Sequence, residues 1–290
     1  MRKIRHLSSL SQKHAICCVV YLSEGRNSAL LDKLACEVET YEGASLIRQF
    51  RDSAYNRTGL TLAGRPSCVQ AAALAVSRSA LGSIDLRYHD ATHPRVGSVD
   101  HISVHAIGGT PVDSAKEVGL NIARTLGKEG LPVLLYGALK NGRGLAEVRR
   151  SLPYFSAGSS PRTIEADMGP NEVCPSKGIA TIGCTPVVVN YNVLLSTTSK
   201  RLAMAVTRSL REKDGGLPWV EALTLQQEDG RYEAACNLLR PGKSTPDMVL
   251  AVAQARAGDL GISVVDHYST GLTEEEALAA IGSSLGERNS

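Results

Sequence analysis

The chain has 290 residues, enough for one large domain or two small ones, each with a hydrophobic core of its own. Hydrophobic residues make up 43% and charged residues 21%, as in ordinary globular proteins, and no apolar run approaches the ~20 residues that span a bilayer. A net charge of +3 and an aromatic content of 4% argue against a nucleic-acid partner, although they leave room for a local anion site.

Residues 1–14 form a basic tail without an acidic residue, and the apolar run 15–22 follows. Together they resemble a secretory leader, but the run is short and no small-x-small cleavage site follows it. We interpret the run as a first buried strand behind a tail whose composition allows disorder, and a short organelle-targeting function of the tail stays open. Seven cysteines, an odd number without CxxC spacing, favour reduced thiols and a cytoplasmic location.

Alternating strand-like and helix-like hydrophobic periods predict a first half of order β-α-β-β-α-β, followed by a helix and a strand. The predicted strands are 15–22, 44–51, 57–63, 99–107 and 132–136, and the predicted helices are 28–40, 66–81 and 111–129. From 138 to 185 the pattern weakens in a stretch rich in Gly, Ser and Pro, which is typical of a functional loop or an interdomain connection. Arg149 and Arg150 in this stretch are predicted to form a solvated helix face.

The second half repeats the order β-α-β-β-α-β and ends with a helix. Its predicted strands are 186–196, 217–226, 231–239 and 261–267, and its predicted helices are 197–214, 245–258 and 273–287. Both halves fit the ferredoxin-like split-βαβ unit, so we predict two α/β (α+β) subdomains, 15–186 and 187–290. Many functions occur on this fold, and the architecture does not select among them.

The stretch 88–105 holds four of the seven histidines in two i,i+4 pairs, namely His89, His93, His101 and His105. Two histidines at this spacing share a zinc ion when both lie on one face of a helix. Pro94 makes a helix at the first pair unfavourable, and four residues of strand separate the Cα atoms of the second pair by about 13 Å. The sequence therefore predicts no metal site.

The two histidine pairs differ in their surroundings. His101 and His105 alternate with apolar residues, so we favour a structural place on the polar side of a sheet over direct catalysis. His93 lies in the loop THPRVG, where Pro94 restricts the backbone. An imidazole titrates near neutrality, which suits a general base, but on this motif alone a loop histidine capping backbone groups is the other interpretation.

Six short segments carry a family resemblance. They are SEGRN (23–27), YNRTGLTLAG (55–64), IDLRYHDATHPRVGSVD (84–100), PVLLYG (132–137), DMGP (167–170) and YNVLLST (191–197). In this order and spacing they resemble the formiminotransferase domain of the glutamate formiminotransferase family, with N- and C-terminal subdomains, over about residues 16 to 285. The family's cyclodeaminase domain is not expected here. The resemblance implies two ferredoxin-like βαββαβ subdomains packed around a groove that holds the folate.

The resemblance also implies a reaction. Members of this family move a formimino (or formyl) group from N-formimino-L-glutamate or a related donor to N5 of tetrahydrofolate. We therefore expect tetrahydrofolate as co-substrate, a glutamate derivative as second small-molecule substrate, no metal, no membrane and no nucleic acid. A role in histidine degradation is expected, and a homodimer stays open. The alternative is a folate-binding relative whose transferase activity is lost or altered.

Site residues follow from the matched motifs. The family's general base corresponds to His93, which would take the proton of N5 and return it to the departing nitrogen. Arg95 would pair with a glutamate carboxylate, and Asp100 would either orient an imidazole or be structural. The matched motifs also supply further residues expected to bind substrate or folate, namely Ser23, Gly25, Asn56, Tyr136, Gly137 and Asn192.

This sequence departs from the family pattern at several polar positions. Tyr21 replaces an asparagine, and Phe50 stands where the family has a functional aspartate, with Asp52 two residues further along the strand. Leu194 replaces a second asparagine, and His101 and His105 replace residues of an apolar strand. Tyr21 and Phe50 discriminate between an active transferase and a relative with altered activity.

Overall fold

Two units share the chain. The structure, a computed structural model, describes residues 14–91, 93–152 and 162–287, with side chains up to residue 281. One unit comprises the chain up to Thr185 together with the C-terminal segment from Glu274, and the other comprises Pro186–Thr273. The basic tail, apart from His14, lies outside the described residues.

The first unit begins with a ferredoxin-like unit. Its elements are β1 (Ala15–Leu22), α1 (Ser28–Val38), β2 (Ala44–Asp52), β3 (Arg57–Gly64), α2 (Pro66–Ser83) and β4 (Val99–Ile107), with a 3₁₀ turn at Leu86–Tyr88. The strands are antiparallel in the order β2-β3-β1-β4. Each of these strands was predicted from its hydrophobic period to within one residue at either end.

Two strands extend this sheet on the β4 side. After α3 (Val112–Lys128), strand β5 (Val133–Gly137) forms the edge, and β6 (Ala180–Cys184) lies between β4 and β5, parallel to both. The region 138–185, predicted to lack regular structure, therefore contains β6 and the short helix α4 (Leu145–Arg150). A Cβ on Gly183 of β6 would lie 2.3 Å from the ring of Tyr136, so this position requires glycine. The glycine interrupts the run of apolar residues by which a strand is recognised in the sequence.

The two faces of the first sheet differ in chemistry. Alternate residues of β1 and β4, such as Ile16, Val20 and Ile102, pack into the main apolar core against the helices. The other face carries Tyr21 directly opposite His101 across the antiparallel pair. This polar face is the scaffold on which the candidate site is built.

The second unit is another ferredoxin-like unit. Its elements are β7 (Val189–Leu195), α5 (Lys200–Leu210), β8 (Val220–Gln226), β9 (Tyr232–Leu238), α6 (Pro246–Asp259) and β10 (Val264–Ser269), with a 3₁₀ turn at Glu212–Asp214. The sheet order is β10-β7-β9-β8, all antiparallel. The predicted α/β class with two ferredoxin-like halves is confirmed.

The last helix differs from the predicted division of the chain. The sequence-based boundary at 186/187 lies one residue from the division between the units, but residues 273–287 were assigned to the second subdomain. Helix α7 (Glu274–Glu287) contacts β2 and β3 and so lies with the first unit. Its first residue is fastened there, because Oε1 of Glu274 accepts the backbone N–H of Gly108 at 3.0 Å.

All seven cysteines have free thiols. Cys17, Cys18 and Cys184 are buried in the first unit, and Cys236 is buried in the second. Burial raises the pKa of Cys17 and of Cys236 to about 12, and that of Cys184 to about 11. Among the helices of the described residues, none combines the length and the apolar composition of a membrane-spanning segment.

Candidate functional site

The end of β1 is fastened to the loop that carries His93. The backbone N–H of Ser23 donates to Ser98 O at 2.9 Å, and its hydroxyl donates to Gly97 O at 2.7 Å. Ser23 is 2% exposed, so both polar groups are used inside the protein. The structure thus places this predicted site residue as a support of the loop.

Asn56 joins three loops beside the site. It has a left-handed backbone with φ of 46°, and its Oδ1 accepts the N–H of Gly25 at 2.8 Å. Its Nδ2 donates to Asp90 O at 3.1 Å, and its own carbonyl accepts Nε2–H of His89 at 3.1 Å. Gly25 is required by close approach, because a Cβ there would lie 2.2 Å from the carbonyl oxygen of Asp52.

The ring nitrogens of His93 have different partners. Nδ1 lies 2.7 Å from Pro94 O, and Nε2 lies 3.0 Å from Nη1 of Arg57. A carbonyl only accepts and a guanidinium only donates, so Nδ1 carries the proton and Nε2 is the acceptor. The lone pair that a general base needs is therefore on Nε2, where Arg57 covers it.

The charge state of His93 differs from the expected one. Burial, followed by the positive charges of Arg57 and Arg149, lowers the pKa of His93 to about 3. Asp100 opposes this shift without outweighing it. The expectation of an imidazole that titrates near neutrality is therefore wrong for this environment, and His93 is neutral at physiological pH.

Asp100 organises the cations of the site. It is 1% exposed and accepts the N–H of Val96 at 2.6 Å and Nη2 of Arg149 at 2.8 and 2.7 Å, with Nη2 of Arg57 at 3.7 Å. Burial alone raises the pKa of Asp100, but Arg149 and Arg57 outweigh it and hold this pKa well below its ordinary value. Of the two roles considered from sequence, these contacts favour the structural one.

The prediction of a solvated Arg149 is wrong. Its side chain is only 11% exposed and pairs with Asp100, while the neighbouring Arg150 is exposed and bonds to Ala146 O within α4. Helix α4 packs against β5 and β6, which turns Arg149 inward. The ion pair joins residues 49 positions apart, and nothing local in the sequence indicates it.

Arg95 is buried beside the same loop. It is 6% exposed, and its Nη2 donates to His89 O at 2.7 Å. Within the described residues, Nε of Arg95 and Nε of Arg57 are buried and have no hydrogen-bond acceptor. The buried carboxylate of Asp100 thus interacts with three guanidinium groups, those of Arg57, Arg95 and Arg149. Asp52 acts in addition on Arg57, and Asp90 on Arg95.

Tyr21, His101 and Tyr136 form one aromatic cluster, in which Tyr21 is stacked on His101 and Tyr136 is tilted against it. The rings of Tyr21 and His101 are parallel to within 5° at a centroid distance of 5.3 Å, and His101 Nε2 lies 2.5 Å from the hydroxyl of Tyr136. The guanidinium of Arg57 lies over the Tyr21 ring at 4.3 Å. Tyr21 and His101, two departures from the family pattern, are therefore in direct contact.

Gly137 follows Tyr136 and serves the backbone. Its φ is 63°, a Cβ would lie 2.3 Å from Cys184 O, and its N–H donates to Arg143 O at 2.7 Å.

His105, at the far end of β4, donates from Nδ1 to Thr185 O at 2.9 Å and accepts from Ser103 Oγ at 2.9 Å. These contacts are those of a structural strand histidine.

Two other predicted features remain, one in each unit. In the second unit, Nδ2 of Asn192 donates to Glu233 Oε1 at 2.7 Å, and Tyr268 donates to Glu233 Oε2 at 2.8 Å, with Glu233 wholly buried. On β2, Phe50 pairs with Gly59, and Oδ1 of Asp52 accepts the N–H of Tyr55 at 2.8 Å. Asp52 thus caps the turn into β3.

Metal chemistry has no support among these side chains. Across residues 14–91, 93–152 and 162–281, no group of three or more His, Cys, Asp or Glu side chains is placed to hold an ion.

Arg57 is the residue that sequence reasoning missed. It lies within the motif YNRTG, and it is the first residue of β3. The motif itself could have indicated Arg57, because Arg57 is adjacent to Asn56, which was predicted as a site residue from the same motif.

Comparisons with known proteins agree with the six motifs. Residues 15–185 match the formiminotransferase domain, N-terminal subdomain. A formiminotransferase cyclodeaminase-like protein of Arabidopsis thaliana is 31% identical over 278 residues, which cover 90% of this chain and 94% of that protein. A glutamate formimidoyltransferase of Streptococcus pyogenes serotype M1 is 26% identical, with 90% and 89% covered. A formimidoyltransferase-cyclodeaminase of Rattus norvegicus is 29% identical over 90% of this chain and 50% of its own length.

Proposed function

The chain belongs to the formiminotransferase domain family, and from this membership we propose that it is a folate-dependent one-carbon transferase. The proposed reaction moves a formimino group from N-formimino-L-glutamate, or a formyl group from a related donor, to N5 of tetrahydrofolate. Tetrahydrofolate is then a co-substrate and the second substrate is a glutamate derivative. The reaction belongs to one-carbon metabolism and, with this donor, to histidine degradation.

The observation that carries this proposal is the tautomer of His93. Because Nδ1–H is held by Pro94 O, the basic lone pair of His93 is on Nε2, which in the free protein faces an N–H of Arg57. N5 attacks the formimino carbon and loses its proton to Nε2. The bond from that carbon to the glutamate nitrogen then breaks, and Nε2 returns the proton to the departing nitrogen.

The surrounding residues support a preorganised site. Ser23 and Asn56 fix the loops on either side of His93, and Asp100 fixes the cations. Tyr21, His101 and Tyr136 are joined by ring contacts and by a hydrogen bond on the polar face of the sheet. Such rigid support is what a base needs if it is to meet its substrate in one geometry.

A second candidate function is folate binding with lost or altered transfer. Two observations favour it: Phe50 replaces a functional aspartate of the family, and Tyr21 fills the place of an asparagine with a stacked ring. Asp52, two residues further along β2, caps the turn before β3 with one carboxylate oxygen.

One pair of measurements separates the two candidates. Purified protein is given tetrahydrofolate and formiminoglutamate, and the absorbance of the product is followed after acid cyclisation. In parallel, the melting temperature is measured with folinate, where a ligand at 100 times its dissociation constant stabilises the native state by about 2.7 kcal/mol. Turnover supports the transferase, a flat trace with a raised melting temperature supports the second candidate, and neither response would remove both.

The remaining expectations stay predictions. We propose a cytoplasmic location, with organelle targeting by residues 1–14 as the other option, and a homodimer remains to be measured.

A further inference from the structure

The contacts of Arg57 are incomplete for a buried cation. One of its N–H groups faces Nε2 of His93 at 3.0 Å, and its carboxylate neighbour Asp100 is 3.7 Å away, beyond hydrogen-bond distance. Its Nε is buried and has no acceptor among the described residues. An unsatisfied buried donor costs free energy, and it is one for which a ligand atom is a natural partner.

The nearest carboxylate is already engaged. Both oxygens of Asp100 accept hydrogen bonds from Arg149, and Oδ1 also accepts the N–H of Val96. Asp52 adds a negative charge near Arg57, and Asp90 adds one near Arg95, yet Nε of Arg57 still has no acceptor among the described residues. A guanidinium with a donor left over is suited to a carboxylate or similar anion.

Resting on the proposed function, we propose that Arg57 receives a carboxylate of the glutamate part of the substrate, and that this exchange frees Nε2 of His93 for proton transfer. The guanidinium would turn away from His93, so that two of its N–H groups donate to the carboxylate in parallel hydrogen bonds. The N–H that now covers His93 is then directed to the ligand. The base becomes available only when a substrate is in place.

Covalent geometry favours the donor as the source of this carboxylate. In formiminoglutamate a single carbon separates the α-carboxylate from the nitrogen that leaves. That nitrogen must come within reach of His93, so the α-carboxylate comes within reach of Arg57, whose Nη1 lies 3.0 Å from the same ring. The glutamate carboxylates of folate lie beyond its aminobenzoyl ring, much further from N5.

The same exchange changes the basicity of His93. The charged groups that act on this imidazole are Arg57, Arg149 and Asp100, and the ring of Tyr55 packs at 5.5 Å. A bound carboxylate neutralises one of the two cations that disfavour the imidazolium. We expect the pKa of His93 to rise by about one pH unit or more when the anion binds.

The test is a direct observation of the imidazole nitrogens. Protein labelled with ¹⁵N-histidine is examined by long-range ¹H–¹⁵N correlation between pH 5 and 8, with His93→Ala identifying the resonances of His93. The probe is N-acetyl-L-glutamate, which has the donor's carboxylates but an acyl group that does not transfer. We expect a neutral Nδ1–H tautomer in the free protein across this pH range, and a shifted Nε2 resonance in the complex. His105, already bonded at both nitrogens, is the internal control.

A second probe identifies the source of the carboxylate. p-Aminobenzoyl-L-glutamate has the carboxylates of the folate tail, and sodium chloride at equal ionic strength controls for charge screening. A response to N-acetyl-L-glutamate supports the donor. A response to p-aminobenzoyl-L-glutamate alone supports the role of Arg57 but assigns the carboxylate to folate.

Variants test the assignment to Arg57. Arg57→Gln removes the charge and the fork, so affinity for the responding probe is expected to fall about 10- to 100-fold. Arg57→Lys keeps the charge and is expected to fall less. Arg124→Gln, an exposed arginine of α3 bonded to Asn121, is the matched control and should bind like the wild type. Thermal melts establish that each variant is folded.

The outcomes separate this inference from the proposed function. If neither probe moves the Nε2 resonance, or if folded Arg57→Gln binds as tightly as the wild type, the inference is wrong even where transfer is observed. If no transfer occurs while probe binding depends on Arg57, the inference stands and the transferase activity is wrong. The wild-type spectra alone decide the matter if Arg57→Gln does not fold.

Discussion

The imidazole of His93 shows how one hydrogen bond sets the role of a residue. Pro94, next in sequence, accepts Nδ1–H and thereby makes Nε2 the basic atom. The loop sequence HPR predicts a restrained histidine, and the structure agrees with that interpretation. The environment that lowers its pKa comes instead from Arg57 and Arg149, which lie 36 and 56 residues away in sequence. Local sequence indicates the base, and tertiary contacts set its charge state.

His93→Ala is the first prediction at this scale. A general base contributes typically 10²–10⁴-fold, so kcat should fall by roughly that factor while KM and the melting temperature change little. His105→Ala, whose ring is bonded to Thr185 and Ser103, is the control and should lose less activity. Steady-state kinetics with tetrahydrofolate and the donor make the measurement. A wild-type kcat in folded His93→Ala would show that another group takes the proton.

The pKa of His93 also fixes the form of the pH profile. A base is active above its pKa, and a pKa of about 3 in the free protein means that activity through His93 is lost only as pH falls toward that value. The pH dependence of kcat/KM reports the pKa values of the free enzyme. We therefore expect no change in kcat/KM between pH 5 and 8 that comes from the titration of His93.

Gly25→Ala is the second prediction. The added Cβ would lie 2.2 Å from Asp52 O and 2.6 Å from Arg57 N, and both are backbone atoms that cannot rotate away. Overpacking of this kind costs about 1–3 kcal/mol, and here it also displaces the start of β3 that carries Arg57. Gly82→Ala is the control. The added methyl group would meet no atom within 4 Å outside the backbone of helix α2, and alanine has a higher helix propensity than glycine. Thermal denaturation should therefore show a loss for the first variant and none for the second.

At the scale of elements, hydrophobic periodicity predicted the strands of both ferredoxin-like units. It missed β6 and α4, the two elements of the Gly- and Ser-rich region. Strand β6 reads ATIGC and is buried on both sides, so small residues replace the alternation that marks a strand. Helix α4 has six residues, too few for an amphipathic period. The pairing of Arg149 with Asp100 depends on both missed elements, which is why the sequence did not indicate it.

The aromatic cluster on β1, β4 and β5 gives the element-scale prediction. Tyr136→Phe leaves Nε2 of His101 without its partner at 2.5 Å in a site where His101 is 8% exposed. Leaving a buried polar atom unsatisfied costs about 1–3 kcal/mol. Tyr191→Phe is the matched control, since Tyr191 OH pairs with His267 at 2.8 Å and that histidine is exposed to water. Chemical denaturation should show the larger loss for Tyr136→Phe, and equal losses would mean that the buried pair is not special.

At the scale of the whole molecule, three histidines couple stability to pH. Burial is the largest cause that lowers the pKa of each of His89, His93 and His101. The unfolded chain then binds protons that the folded protein does not, from about pH 6.5 downward. Stability is complete above that pH and is lost as pH falls, by up to roughly 1.4 kcal/mol for each pH unit for a histidine that stays neutral in the folded protein. The pKa of Asp100 is also lowered in the folded protein, so the stability that its carboxylate contributes is lost only near and below pH 4.

The corresponding measurement is the free energy of unfolding between pH 7.5 and 5. We expect a steep decline below about pH 6.5, and a shallower one in His101→Asn. A free energy of unfolding that stays constant down to pH 5 would show that these imidazoles are protonated in the folded protein.

The buried cysteines can report the unfolding of each unit through their reaction with alkylating reagents. Thiolates react with alkylating reagents and protonated buried thiols do not, so Cys17, Cys18, Cys184 and Cys236 are silent while their units stay closed. Exposed Cys174, whose pKa is lowered through its contact with Ser176, would be labelled first, followed by exposed Cys36. The opening of the first unit is then reported by two peptides, one with the adjacent Cys17 and Cys18 and one with Cys184, and that of the second unit by the peptide that contains Cys236. Pulsed alkylation read by mass spectrometry can thus time the melting of each half separately, without a dye, a tag or a mutation.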